Sequence, residues 1–347
     1  MKIRLTALAL LVTAALAPSA SAQSLINGAG ATFPYPIYSK WFDAYTKVDP
    51  EVRFNYQSIG SGGGIKQVTS RTVDFGATDG PMTDEQLKAA PGELVHIPTV
   101  LGAVVATYNL PGNPRLQFAP DVLADIFLGK ITKWNDARLT ASNPGVTLPN
   151  EPIAVVHRSD GSGTTYIWVD YLSKVSPEWQ QKVGKGTSVN WPVGLGGKGN
   201  EGVAGQVKNT PGALGYVELA YAVKNKLPVG LVKNAAGKFI EPTIESTTAA
   251  AAGAAKSMPD DFRVSLTNAP GDAAYPIASF TWLLVYREQP DEAKGRAIVN
   301  FLWWMSHEGQ KYAADLLYAP LPAPVVKQIE AKIKQINYQG KPLLAAR

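Results

Sequence analysis

Three times in this chain a turn of glycine and other small residues opens directly into an amphipathic helix, with serine or threonine at the opening. The first is Gly28-Ala29-Gly30-Ala31-Thr32-Phe33-Pro34, followed by Ile37, Tyr38, Trp41, Phe42 and Tyr45 on one helical face. The second is Gly60-Ser61-Gly62-Gly63-Gly64, after a strand ending near Gln57, and Ile65 and Val68 mark its helix. The third is Asp160-Gly161-Ser162-Gly163-Thr164-Thr165, after a strand at Ile153 to Val156, with Trp168, Tyr171, Leu172 and Val175 on the buried face. In an open α/β sheet such turns lie at the carboxyl ends of strands, where ligands bind. The repetition restricts the chain to strands and helices in alternation.

The remaining pattern agrees. Val52, Phe54 and Tyr56 alternate with polar residues and read as a strand. Ile153 to Val156 is a short apolar run, expected as a buried parallel strand, and Phe280 to Tyr286 is another. Ala293, Ala297, Ile298, Phe301, Leu302 and Met305 recur at helical spacing, with Pro290 and Asp291 where that helix starts. Val325 to Ile336 reads as a final helix, and the alanine-rich Ser246 to Ala255 as a helix rather than a linker.

A helix N-terminus carries N–H groups without partners and about half a positive charge. Glycine lets the backbone approach an anion, and a hydroxyl adds a donor. Thr32 is placed as the N-cap of the first helix, with Pro34 in its first turn. One such turn is equally an ordinary capped loop; three together point to a small anion. Nucleotide motifs do not fit. Gly197-Lys198 is followed by Gly199 where a phosphate loop needs a hydroxyl, and Gly28-x-Gly30 lacks the third glycine of a dinucleotide fingerprint at position 33.

Two charges sharpen the reading. Arg158 can fork two hydrogen bonds onto an oxyanion, with Asp160 orienting the guanidinium. Asp79 ends Asp74-Phe75-Gly76-Ala77-Thr78-Asp79, at the end of a short strand. A phosphate group keeps a proton near neutral pH, its last pKa being about 6, whereas sulfate keeps none. A carboxylate accepts that proton's hydrogen bond but only repels sulfate. Three helix ends plus Arg158 supply roughly +2.5, against −3 for a phosphate dianion with Asp79. That near balance suits an anion held by dipoles and hydrogen bonds.

Lys2 and Arg4, the apolar run Leu5 to Leu16, and Ala20-Ser21-Ala22 read as an export signal over residues 1–22, removed to start the mature chain at Gln23. The apolar run is shorter than the roughly 20 residues of a spanning helix. The chain has no cysteine, so a lipid anchor, disulfides, thiolate metal sites and thiol nucleophiles are excluded. The formal charge of +5 includes two charges of the signal, and no basic run of five occurs, which argues against a nucleic-acid partner. The length suits two domains at about 100–200 residues each. His96, His157 and His307 are scattered, no Gly-x-Ser-x-Gly elbow is present, and Trp303-Trp304 reads as packing. No enzyme activity, metal or cofactor is expected.

The chain closely resembles the periplasmic phosphate-binding proteins that feed bacterial ATP-binding-cassette (ABC) phosphate importers. The resemblance runs through the whole mature chain. It is strongest in Gly28 to Pro34, Tyr56 to Gly64, Val73 to Asp79, Ile153 to Thr164 and Trp191 to Asn200. It implies a type II periplasmic binding protein fold: two α/β lobes, each a central mixed sheet flanked by helices, with the ligand in the cleft between them. Residues 23–100 and 279–347 are expected in one lobe and 101–278 in the other, with crossings near Pro98 to Ala103 and Tyr275 to Ser279. By this resemblance Thr32 and Phe33 donate to phosphate at the first helix start and Ser61 at the second. Asp79 accepts the phosphate proton. Arg158, held by Asp160, makes the single basic side-chain contact, and Ser162, Gly163 and Thr164 complete the cradle. His157 and Ser159 flank the arginine where the family pattern differs. Gly196 to Asn200 matches the pattern without a ligand role attached.

The implied partners are inorganic phosphate and an inner-membrane ABC permease with its ATPase. The implied protein is a periplasmic monomer that closes by hinge bending and carries out no catalysis. Binding of another tetrahedral anion such as sulfate or molybdate, a phosphatase, and an extracellular interaction protein on the same scaffold stand as alternatives.

Overall fold

The computed structural model describes residues 23–254 and 258–345. The export signal read at 1–22 lies outside the described residues. The chain enters on β1 (Ser24–Gly30) and α1 (Tyr35–Tyr45), then passes β2 (Val52–Ser58), α2 (Ser61–Thr69), β3 (Phe75–Thr78) and α3 (Asp84–Ala89) into the long β4 (Leu94–Tyr108). The middle runs through β5 (Gln117–Phe118), α4 (Pro120–Phe127), α5 (Ala137–Ala141), β6 (Ala154–Arg158), α6 (Gly163–Val175), α7 (Pro177–Lys182), β7 (Leu195–Gly197) and α8 (Gly199–Asn209). It continues through β8 (Ala213–Glu218), α9 (Leu219–Lys224), β9 (Leu231–Lys233), β10 (Phe239–Ile240) and α10 (Ile244–Ala254). The chain closes with β11 (Ala278–Tyr286), α11 (Glu292–Ser306), α12 (Ala323–Ile333) and the hairpin of β12 (Asn337–Tyr338) and β13 (Lys341–Pro342).

The main sheet has the strand order β2-β1-β3-β11-β4-β8-β6-β7. Strand β4 is shared along its length. Leu94 to Ala103 pair antiparallel with β11, and Val104 to Tyr108 pair antiparallel with β8. One half-sheet is therefore β2-β1-β3-β11 with the first part of β4, and the other is the second part of β4 with β8, β6 and β7. The chain passes between the halves again just before β11, where Val104 N–H donates to Ile277 O at 2.9 Å. Both halves are mixed and covered by helices, which gives the two-lobed α/β architecture.

Every residue of β4 and β11 is buried, because both faces of these strands are covered. Strand β6 pairs parallel with β7 and β8 as its apolar run suggests. Strand β11 differs: it lies antiparallel to both β3 and β4. Burial on both faces yields a continuous apolar run whichever way the strand points, so composition alone could not fix its direction.

The first lobe's core is aromatic. Helix α1 buries Ile37, Tyr38, Trp41, Phe42 and Tyr45. Phe54 of β2 stacks on Phe42 at 4.8 Å between centroids and meets Phe301 of α11 at 4.5 Å. Each such side chain contributes about 1.5–3 kcal/mol by burial. Asp291 caps α11 by accepting from Lys294 N–H. The final helix stops at Ile333 rather than Ile336. Ile336 is still buried, but it packs from the turn beyond the helix, where its carbonyl accepts from Leu343 N–H.

Candidate anion-binding site

The three glycine turns meet where the two halves face each other. Strand β3 ends one residue before Asp79, and α2 begins at Ser61 beside it. Ser61 Oγ accepts from Asp79 N–H at 3.1 Å, and the two side chains approach at 3.5 Å. Thr281 of β11 donates to Asp79 Oδ1 at 2.8 Å. From the other half, the first residue of α6 presses onto this pair. A Cβ placed on Gly163 would lie 2.4 Å from Ser61 Oγ and 2.5 Å from Asp79 Oδ2. Only hydrogen fits there. Burial pushes the Asp79 carboxyl up to about 7, against the opposing pull of the Thr281 hydroxyl, the Arg158 charge and Ser61.

Arg158 ends β6 and is buried. Its Nε and Nη2 donate to Asp160 Oδ1 at 2.7 Å and Oδ2 at 2.5 Å, a two-point fork. Among the described residues Nη1 is buried and has no hydrogen-bond partner. A buried guanidinium donor without an acceptor is costly, and marks a group made to meet one. Gly199 N–H, at the start of α8, also donates to Asp160 Oδ1. Burial raises the Asp160 carboxyl, but the Arg158 bonds and charge outweigh it and hold the group below its usual range. The pair is locally neutral, so the +2.5 tally overstates the side-chain charge. An anion here is balanced by dipoles and hydrogen bonds. Across the seam, Gly60 has φ +90°, and a Cβ there would meet Asp160 Oδ2 at 2.4 Å. Gly62 N–H donates to Gly161 O at 2.9 Å, joining the two turns directly.

Ser162 is the N-cap of α6, its Oγ accepting from Thr165 N–H at 2.9 Å. The N–H groups of Gly163 and Thr164 in that first turn have no intrahelical acceptor. Thr32 is buried too, but it does not cap α1. The N-cap is Pro34, without a side-chain cap bond. The Thr32 hydroxyl is instead engaged by Asn200, which reaches it from α8 through both its backbone N–H (3.2 Å) and its Nδ2 (2.7 Å). The same Nδ2 donates to Thr164 Oγ1 at 3.0 Å. Tyr221 and Tyr318 hold the backbone of the first turn, donating to Thr32 O and Phe33 O at 2.6 Å each.

All eight residues expected to touch the anion, Thr32, Phe33, Ser61, Asp79, Arg158, Ser162, Gly163 and Thr164, are thus buried along one seam. Ser61, Asp79 and Gly163 form one cluster, and Thr32 and Thr164 are joined through Asn200. Arg158 is tied to Asp160. The sequence reading assigned no role to Asn200, Thr281, Tyr221, Tyr318 or Glu218. Glu218 caps α9 and is fully buried, and burial pushes its carboxyl well above the usual range. A Gly-Lys-Gly-Asn turn opening α8 was the one local signal available for Asn200.

A family model described as a PBP superfamily domain matches residues 17–308. The phosphate-binding protein PstS of Xylella fastidiosa (strain 9a5c) is 50% identical over 310 residues, covering 88% of this chain and 84% of that protein. The phosphate-binding protein PstS of Methanocaldococcus jannaschii is 44% identical over 312 residues, covering 83% and 79%. Among solved structures, a high affinity periplasmic phosphate-binding protein (PfluDING) bound with phosphate aligns with a TM-score of 0.71 at 22% identity, covering 89% of this chain and 93% of that one. A phosphate-binding protein from Stenotrophomonas maltophilia aligns with a TM-score of 0.69 at 19% identity, covering 89% and 94%. At these identities the structural likeness speaks to the fold alone.

Proposed function

The chain belongs to the PstS phosphate-binding proteins, within the PBP superfamily, and on that footing we propose that it binds inorganic phosphate in the seam between its lobes and delivers it to a membrane ABC transporter for import. The observation that carries this reading is the pairing of a buried, unpartnered Arg158 Nη1 with a buried Asp79 on facing sides of one seam. The arginine offers a donor to an ionised oxygen. The aspartate offers an acceptor to a protonated one. Phosphate near neutral pH has both kinds of oxygen.

The residues divide the work. Arg158 Nη1, the Ser61 hydroxyl and the first-turn N–H groups of α6 donate to ionised oxygens; Thr32 and Phe33 add donors from the first turn. Asp160 fixes the guanidinium plane so that Nη1 faces the anion. Asp79 takes the remaining oxygen. Its carboxyl sits at about 7, close to the last pKa of a phosphate group at about 6, so one proton is shared between the two. The site then accepts either protonation state of phosphate with little change in total charge.

Closure in this reading is a hinge motion at the two crossings, with residues 23–100 and 279–347 moving against 101–278. The exchange of β4's pairing partner between Ala103 and Val104 supports a hinge there. The permease and its ATPase read the closed form. The protein works in the periplasm after removal of residues 1–22, as a monomer that releases phosphate chemically unchanged.

The test is calorimetric titration of the phosphate-stripped mature protein with phosphate and then sulfate at pH 7.5, with Arg158→Ala titrated alongside. Tight one-to-one phosphate binding, no heat from sulfate and at least about tenfold weaker binding by the variant are expected. Absence of phosphate binding would return the scaffold to the interaction-protein alternative.

A further inference from the structure

Asn200 lies outside the anion-contacting set, yet its amide makes three of the four hydrogen bonds open to it, both of its donors among them. Oδ1 accepts from Glu218 N–H at 2.8 Å, which fixes which end of the amide is which. Nδ2 spends its two hydrogens on Thr32 Oγ1, from one lobe, and Thr164 Oγ1, from the other. A hydroxyl has two acceptor lone pairs and one hydrogen. At Thr32 both lone pairs are taken, by Asn200 N–H and Nδ2. That hydroxyl can therefore act only as a donor. At Thr164 the incoming amide hydrogen likewise leaves the hydroxyl hydrogen free to point elsewhere.

We propose that Asn200 is a positioning residue that sets the polarity of the site. By donating to Thr32 and Thr164 in the closed form, it turns both hydroxyl hydrogens toward the anion. A donor-only Thr32 cannot receive a hydrogen bond from a protonated oxygen, which removes it as a rival to Asp79 for the phosphate proton. The selectivity assigned to Asp79 then depends on an amide that touches neither Asp79 nor the anion. This inference rests on the phosphate reading above. It adds that the seam's hydroxyls are committed donors because of one residue on α8.

The test compares wild type, Asn200→Asp and Asn200→Ala by phosphate calorimetry at pH 8.5 and 5.5. Aspartate keeps the shape and the Glu218 bond but offers oxygen where Nδ2 stood. Both hydroxyls would then donate to it and desert the anion. Asn200→Asp is expected to bind at least about a hundredfold more weakly at pH 8.5, the loss of two charge-assisted bonds. It should regain part of that, relative to wild type, at pH 5.5 as the new carboxyl takes a proton. Asn200→Ala should lose about tenfold with the wild-type pH profile, since its hydroxyls are only released, not turned away.

A merely structural role would leave that pH contrast absent. A cycle with Thr164→Val supplies a second readout: the valine substitution should cost less in the Asn200→Asp protein than in wild type, and independent effects would overturn the proposal. Should Asn200→Asp fail to fold, the same cycle on Asn200→Ala decides it. Both variants binding within about threefold of wild type at each pH would overturn the Asn200 role alone, provided Arg158→Ala still weakens binding. A wild-type protein that binds no phosphate would overturn the functional reading and this inference together.

Discussion

On the proposed reading, burial of Asp79 makes anion selectivity a pH-dependent property of one carboxyl. Above about pH 7 the group is ionised, and in this reading it accepts from phosphate and repels sulfate. As pH falls through about 7 it takes a proton, the repulsion disappears, and the neutral acid becomes a donor that sulfate can accept. Sulfate should therefore be rejected at pH 8.5 and bound detectably at pH 5.5. Asp79→Asn, a permanent neutral donor, should bind sulfate at both pH values while phosphate affinity changes little. Sulfate titrations of both proteins check this; equal rejection by wild type at the two pH values would remove Asp79 from the selectivity argument. Asp79 and Arg158 are legible in the sequence because each sits beside a glycine turn at a strand end. Thr281, which holds the Asp79 carboxylate, is not, since nothing in its apolar strand marks it as facing a residue 202 positions away.

At the scale of elements, the start of α6 is packed tightly against the other lobe. Gly163 has no positive φ to require glycine. Its reason for being glycine is the space that Ser61 and Asp79 occupy at 2.4 and 2.5 Å from a built Cβ. Alanine is a better helix former than glycine by about 1 kcal/mol, so Gly163→Ala should not weaken α6 itself. The clash exists only with the lobes together. The variant is expected to keep or raise its melting temperature without phosphate, yet bind phosphate at least about tenfold more weakly. Thermal melting and calorimetry on the one variant separate the two effects. Unaltered affinity would show that phosphate is bound in a more open arrangement than this seam.

For the molecule as a whole, polar contacts cross the seam between the two halves beside a hydrophobic core that runs through both. Gly62 to Gly161, Asn200 to Thr32, Tyr221 to Thr32 and Tyr318 to Glu218 are hydrogen bonds across the seam. The covalent connections run through β4 and the residues before β11. In the proposed hinge motion the polar contacts open by bending at those two points. Phosphate should therefore reduce the radius of gyration in solution scattering, and stripping it should reverse the change. At a hundred times its dissociation constant, phosphate should add about 2.7 kcal/mol to stability, visible as a higher melting temperature. Equal scattering with and without phosphate would place the hinge in doubt.

Local sequence determined the strands near 52–56, 153–156 and 280–286, the three glycine turns with the helices that follow them, and the later helices near 246–255, 293–305 and 325–336, because alternation, helical spacing and capping act over a few residues. It also marked Asp79, Arg158 and Ser162, each in or beside its turn. Only the tertiary structure decided that β11 runs antiparallel, that Thr32 serves Asn200 instead of capping α1, and that Tyr318 grips Phe33. Asn200 and Thr32 lie 168 residues apart, and Tyr318 and Phe33 285. Hydrogen bonds of that span, between the lobes for Asn200 and within one lobe for Tyr318, are set by tertiary packing, and the residues making them obey no periodicity along the chain.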